Sequence, residues 1–183
     1  MADLRGRRSR THDPSFTGTA SAATGVLEQP LTQRPSHEWL PDPAIVVAGC
    51  HGGAGTSTLA RLLTGAIDAG VGVPAETRYP IVLVARGTPH GGSRASEMLR
   101  DFQQHELQPS VLVVVGDGPW PEPPLSRSRF RLLSGLVPTV VRVRFVPRWR
   151  YLDAAPTQAI PAKVDAALQR IRAAAHPNPS GEA

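Results

Sequence analysis

The chain is nearly devoid of lysine and cysteine. Nineteen of its 20 basic residues are arginines, and Lys163 is the one lysine. The single cysteine, Cys50, excludes an internal disulfide bond. No apolar run approaches the roughly 20 residues that a membrane-spanning helix needs. The first residues, MADLRGRRSRTHD, lack the apolar core of a signal peptide. We therefore expect a cytoplasmic protein with no membrane span.

The length and the composition predict one compact domain with irregular ends. The chain has 183 residues, of which 40% are hydrophobic, and its formal net charge is +5. These values suffice for a single hydrophobic core. Residues 1–40 are rich in Arg, Ser and Pro and show no sustained hydrophobic period. We predict that residues 1–40 and 176–183 are disordered and that residues 41–175 form an α/β domain.

Residues 44–63 read AIVVAGCHGGAGTSTLARLL and contain the most informative pattern of the chain. An apolar run leads into a glycine-rich turn, which is followed by a stretch with helical spacing of leucines. A strand, a glycine loop and a helix in this order can direct backbone N–H groups at a phosphate. The alternative is a tight strand-to-helix turn that binds no ligand, because glycine turns alone are weakly specific.

The tract HGGAGTST resembles KGGxGK[ST]T, the deviant phosphate loop of MinD/ParA-type P-loop ATPases. His51 falls on the signature lysine of that family, Thr56 on its second lysine, and Ser57 on the hydroxyl that binds magnesium. The resemblance implies ATP or another nucleotide with Mg²⁺ as the ligand. It also implies a set of nucleotide-binding residues, with Ser57 as the metal ligand: His51, Gly52, Gly53, Ala54, Gly55, Thr56, Ser57, Thr58 and Asp117.

The chain is also similar, over about residues 40–172, to an uncharacterised actinobacterial family with an AHGGAGxST loop. That resemblance implies an association with conjugation-type mobile elements, and no activity comes with it. A dinucleotide-binding Rossmann domain fits less well, because the second predicted strand ends in Arg86 rather than in an acid.

The phosphate loop departs from the family pattern at the positions that carry charge. Thr56 supplies no cation, and no acid follows a strand with clear Walker B spacing; by its position Asp117 resembles a base-recognition loop better. Phosphoryl transfer depends on positioned charge around the phosphates. Each such loss costs roughly two to three orders of magnitude in rate. We therefore predict a pseudo-ATPase that binds nucleotide without hydrolysing it, as an accessory of a larger assembly.

Four apolar strands alternate with four helices along the predicted domain. This alternation predicts an α/β fold with a small, mostly parallel four-stranded sheet and crossover helices. The last strand alternates apolar residues with arginines, which is typical of an edge strand. The predicted strands are 44–49, 81–86, 111–115 and 139–146, and the predicted helices are 57–69, 93–106, 125–136 and 160–175.

Seven arginines and no acid occur within residues 124–150. Such a cluster can bind nucleic acid or an anionic protein, although compositional bias toward arginine also produces it. The cluster supports a second hypothesis, in which the protein is a non-enzymatic adaptor that no longer binds nucleotide and uses an arginine-rich face to bind protein or DNA. The Trp149 side chain is expected to dock on the domain. The seven residues are Arg127, Arg129, Arg131, Arg142, Arg144, Arg148 and Arg150.

Overall fold

The structure is a computed structural model, and it describes residues 44–75, 77–153 and 155–176. The N-terminal tail that the sequence predicts at 1–40 lies outside the described residues. Residues 177–183 of the predicted C-terminal tail lie outside them as well.

Five parallel strands form one sheet in the order β2-β1-β3-β4-β5. The strands are β1 (Ile45–Gly49), β2 (Ala66–Val71), β3 (Ile81–Arg86), β4 (Val111–Val115) and β5 (Thr139–Val143). The α/β class and the parallel sheet are thus confirmed. Because β1 has neighbours on both sides, the loop that follows it lies at the middle of the carboxyl edge, where open α/β sheets bind ligands.

Four helices cover the two faces of the sheet, and a short 3₁₀ helix follows β5. The helices are α1 (Thr56–Leu62), α2 (Pro89–Gln104), α3 (Pro124–Leu133) and α4 (Ala162–Ala175), and the 3₁₀ helix is Pro147–Tyr151. Side chains of α1 and α4 pack with Val47, Val84 and Val113 on one face. Those of α2 and α3 pack with Leu83 and Leu112 on the other.

The first helix is shorter than predicted, and the sheet has one more strand. The prediction of a helix over 57–69 is wrong beyond Leu62, because Gly65 adopts a left-handed backbone conformation with φ of 79°. The chain then extends, and Ala66 pairs with Ile45 of β1 in parallel. Residues 72–80 lead from β2 to β3, and Val73 packs against the α2 and α3 side of the core on the way. β2 therefore forms from residues predicted as the end of a helix and the start of a linker.

The second helix begins at Pro89, four residues before the predicted start. The hydroxyl of Thr88 accepts a hydrogen bond from the Gly91 N–H at 3.0 Å, so Thr88 is the N-cap. Gly91 packs against the backbone of Arg86 so closely that a Cβ at this position would overlap the Arg86 carbonyl oxygen. This contact brings the start of α2 directly onto the end of β3.

The predicted edge position of the last strand is confirmed. β5 pairs only with β4 among the described residues. Val141 and Val143 of β5 are buried, whereas Arg142 between them is exposed. The strand ends at Val143, three residues earlier than predicted.

Candidate functional site

The glycine loop joins β1 to α1, as the sequence predicts. It covers residues 50–55, and Gly53 and Gly55 have φ values of 76° and 102°, a conformation that favours glycine. Ala54 donates to the carbonyl oxygen of His51 at 3.2 Å. In the described chain, no hydrogen bond uses the amides of Gly52, Gly53 or Gly55. The loop therefore keeps three backbone donors for a ligand.

Thr56 occupies the lysine position of the resemblance, and its side chain is buried beneath the loop. The residue is 7% exposed, and its hydroxyl lies so close to Gly49 that a Cβ there would overlap it. Thr56 therefore fills the space between β1 and α1 and supplies neither a cation nor a group that faces solvent.

Arg86, at the end of β3, places a cation beside the loop. Its Nε donates to the carbonyl oxygen of Gly53 at 3.1 Å, and one terminal nitrogen donates to the same oxygen. The Nε also lies 3.7 Å from the carboxylate of Asp117, which follows β4. Sequence reasoning missed Arg86 as a site residue. Parallel neighbouring strands bring their last residues to the same edge, but this signal requires knowing that β3 lies beside β1.

His51 is held between the loop and β3. Its Nδ1 lies 2.8 Å from the carbonyl oxygen of Gly52, and its Nε2 lies 3.4 Å from the backbone nitrogen of Arg86, which donates to it. These two bonds assign the ring proton to Nδ1. The ring centroid of His90, in the first turn of α2, is 5.7 Å away. His90 is therefore part of the helix that begins beside the glycine loop.

Cys50, the first residue of the loop, is fully buried. Burial raises the pKa of its thiol to about 12, and the nearby Arg94 guanidinium opposes this increase only in part. The thiol therefore stays protonated at neutral pH, and it serves as a small packed side chain rather than as a nucleophile.

A cavity of about 390 Å³, which we call the loop cavity, opens beside the glycine loop. One part of its wall comes from the loop and α1, including Gly55, Ser57 and Thr58. Another comes from the segment that follows β5, including Trp149 and Asp153. Ser57 is exposed, and its hydroxyl has no hydrogen bond to another described residue. The described charged residues that line the loop cavity are four arginines and one acid, namely Arg61, Arg86, Arg144, Arg150 and Asp153.

A second cavity of about 630 Å³ lies on the far side of Gly116, Arg144 and Phe145, which line both spaces. Asp117 lines this second cavity and not the loop cavity, so it is linked to the glycine loop only through Arg86. The second cavity is larger, but it contains no residue of the glycine loop. We therefore take the loop cavity as the candidate site.

The predicted arginine cluster divides into groups with different environments. Arg129 fastens α3 to α2, because it donates to the carbonyl oxygen of Pro89 and to the hydroxyl of Ser93 at 2.7 Å. Arg142 pairs with the Glu122 carboxylate at 3.1 Å. These arginines are thus committed to contacts within the domain.

The remaining arginines have different surroundings. Arg148 donates to the carbonyl oxygen of Ala159 at 2.8 Å. Arg150 lies over the ring of Phe145, 5.3 Å from its centroid, and together with Arg144 it lines the loop cavity. Arg127 and Arg131 line a separate shallow depression beside Arg142. The seven arginines therefore differ in their contacts, although Arg142 lines both this depression and the second cavity and Arg144 lines the second cavity and the loop cavity.

Comparison with known proteins gives one match. A protein-family model described as a family of unknown function (DUF6668) matches residues 43–168, more than half of the chain. No curated protein and no solved structure matches the chain significantly. Among the described residues, no helix has both the length and the apolar character that crossing a bilayer requires.

Proposed function

Since the chain belongs to the DUF6668 family of unknown function, we propose its function from its own geometry: it binds a nucleotide in the loop cavity without hydrolysing it. In this proposal it acts in the cytoplasm as an accessory or regulatory component of a larger assembly, such as that of a conjugation-type mobile element.

The single observation that carries the proposal is the set of cations beside the glycine loop. Four arginines and one acid line a cavity that also contains residues of the loop. A nucleoside diphosphate or triphosphate carries several negative charges, which positive side chains in a partly enclosed cavity attract. Arg86 lies in hydrogen-bond contact with the loop itself and is the cation best placed to meet the phosphates.

The residues present fit such a ligand. The cavity volume of about 390 Å³ lies within the usual range of small-molecule sites. Of the three free loop amides, that of Gly55 belongs to a residue that lines the cavity, and it would hold a phosphate oxygen together with Arg86. Ser57, whose hydroxyl lines the cavity, would reach a magnesium ion bound with the nucleotide.

The same geometry argues against efficient hydrolysis. Thr56 is buried and uncharged, so it cannot stabilise the charge of a transferred phosphoryl group. Arg86 is held by Gly53 and Asp117, and it would have to leave these partners to follow the moving group. Asp117, the acid that follows β4, thus pairs with a cation of the site.

The test is calorimetric titration of the chain with ATP, ADP, GTP and GDP in the presence of magnesium. We expect saturable binding to wild type, and binding at least about tenfold weaker to Arg86→Met, because a charged hydrogen-bond donor to phosphate is lost. Arg100→Met is the matched control, since Arg100 is an exposed arginine of α2 away from the cavity, and it should bind like wild type.

Absence of binding by wild type to all four nucleotides would overturn the proposal. The adaptor hypothesis would then be the one to test, by measuring duplex DNA binding as a function of salt concentration.

A further inference from the structure

We propose that the loop cavity selects guanine nucleotides and that the carboxylate of Asp153 recognises the base. This inference rests on the proposed function, and it adds the identity of the nucleotide to it.

Among the described residues, Asp153 is the one acid that lines the loop cavity. Four arginines line the same cavity, but within the described part of the chain none of them lies within 4.0 Å of the Asp153 carboxylate. No hydrogen bond to another described residue engages this side chain either. With respect to the described residues, both carboxylate oxygens are therefore available to accept hydrogen bonds from a ligand.

The segment that carries Asp153 is anchored to the domain. Asp153 follows the 3₁₀ helix, whose Trp149 packs against the core formed by α1 and α4. Leu152 donates to the carbonyl oxygen of Trp149 at 3.3 Å, and Arg148 donates to that of Ala159 at 2.8 Å. These contacts anchor the chain before and after Asp153, whose exposed side chain lines the cavity.

A carboxylate in this position discriminates between bases by its chemistry. Guanine presents two neighbouring donors, N1–H and the 2-amino group, which match the two oxygens of a carboxylate. Adenine presents its amino donor beside the N1 acceptor, and a carboxylate, which only accepts, would face that acceptor unfavourably. A bidentate contact of this kind is worth roughly a tenfold or larger preference for the matching base.

The surroundings of Asp153 suit a purine ring. Phe145 and Trp149 line the same cavity, and Arg150, which also lines it, places its planar guanidinium over the Phe145 ring. Bases stack on both kinds of surface. The glycine loop lies in a different part of the wall, so phosphates and base would contact separate elements of the chain.

The experiment compares the binding of GDP, IDP, XDP and ADP to wild type and to Asp153→Asn, by calorimetric titration. Inosine lacks the 2-amino group of guanine, and xanthine replaces it with an oxygen. For wild type we expect GDP to bind about tenfold or more tightly than ADP, with IDP in between. In Asp153→Asn, the amide can donate to the xanthine oxygen and to N1 of adenine, so the affinities for XDP and ADP should both rise relative to the affinity for GDP.

Asp101→Asn is the matched control, because Asp101 is an exposed acid on α2 away from the cavity, and it should keep the wild-type order of affinities. Equal affinities of wild type for GDP and ADP would overturn the inference and leave the proposed function standing. An unchanged order of affinities in Asp153→Asn would also overturn it. Failure of wild type to bind any of the four diphosphates would instead overturn the proposed function.

Discussion

The guanidinium of Arg86 donates to the carbonyl oxygen of Gly53, so the last residue of β3 holds the loop that follows β1. The side chain is 26% exposed, and the same guanidinium lies within ion-pair distance of Asp117. One arginine thereby connects the carboxyl ends of three neighbouring strands. The glycine loop is thus held in place by a residue of another strand, Arg86.

We expect Arg86→Met to lower the free energy of unfolding by about 1–2 kcal/mol, because Gly53 loses a charged hydrogen-bond donor. The free energy of unfolding of Arg86→Lys should lie between those of Arg86→Met and wild type, since an ammonium group is charged but lacks the planar fork of a guanidinium. Urea unfolding followed by circular dichroism measures both values. An Arg86→Met protein as stable as wild type would show that the contact with Gly53 contributes nothing to the fold.

Gly91→Ala should be among the most damaging single-methyl substitutions in the domain. The added Cβ would overlap the backbone of Arg86, which cannot move without disturbing β3. We expect a loss of about 2 kcal/mol or more in the free energy of unfolding. Gly118→Ala is the control, because no atom lies within 4 Å of its added Cβ, and it should change stability little. Similar unfolding midpoints for the two variants would contradict the close contact between α2 and β3.

The buried thiol of Cys50 should make the protein less stable at high pH. Its pKa is raised by burial from 9.0 to about 12, so in the folded state the thiol keeps its proton where the unfolded thiol has lost it. This stabilising contribution is complete below pH 9 and is lost as the pH rises from 9 to about 12, by up to about 1.4 kcal/mol per pH unit. Urea unfolding of wild type and Cys50→Ala at pH 8, 9.5 and 10.5 measures it. The decline should be steeper for wild type, and parallel curves would refute the assignment.

Arg129 and Arg131 lie on the same helix, but we expect only Arg129 to contribute to the stability of the domain. Arg129→Met should destabilise the domain by about 1–2 kcal/mol, because the carbonyl oxygen of Pro89 and the hydroxyl of Ser93 lose their donor. Arg131→Met, on the exposed side of α3, should leave the unfolding midpoint unchanged. The measurement is thermal unfolding of both variants, and equal losses would show that the link between α2 and α3 lies elsewhere.

We expect no phosphate release from ATP or GTP above the buffer rate, even when nucleotide is bound. The reason is the absence of a cation at Thr56 and the engagement of Arg86 with Gly53. A colorimetric phosphate assay at several protein concentrations provides the measurement. Release that grows with protein concentration and disappears in Arg86→Met would contradict the pseudo-ATPase proposal and identify Arg86 as a group that acts on the phosphates.

The strands β3 and β4 could be predicted from sequence to the residue, since a continuous apolar run bounded by polar or turn residues is typical of a strand buried on both faces. β2 could not. Its residues are largely exposed, and Ala66 and Ile67 continue the helical spacing of the leucines in α1. The helix ends before them because Leu63 has an extended backbone and Gly65 a left-handed one, and the periodicity reveals neither.

The candidate site was predictable where it is local in sequence and not where it depends on the order of strands. The glycine loop is one continuous tract, so its place between a strand and a helix follows from its neighbours. Arg86 and Asp153 join the cavity because β3 lies beside β1 and because the segment after β5 returns toward α1. Neither relation can be read from a single window of sequence.

The position of α4 at the end of the described chain affects the order in which the protein folds during synthesis. The strands β1, β2 and β3 lie within residues 45–86 and can pair as soon as that stretch has left the ribosome. The face of β3, β4 and β5 that α4 contacts stays bare until residues 162–175 emerge. A nascent chain that has not yet released α4 therefore exposes a row of valines, Val82, Val84, Val111, Val113 and Val141. We therefore expect the newly made chain to become resistant to proteases and to aggregation when α4 packs on this face.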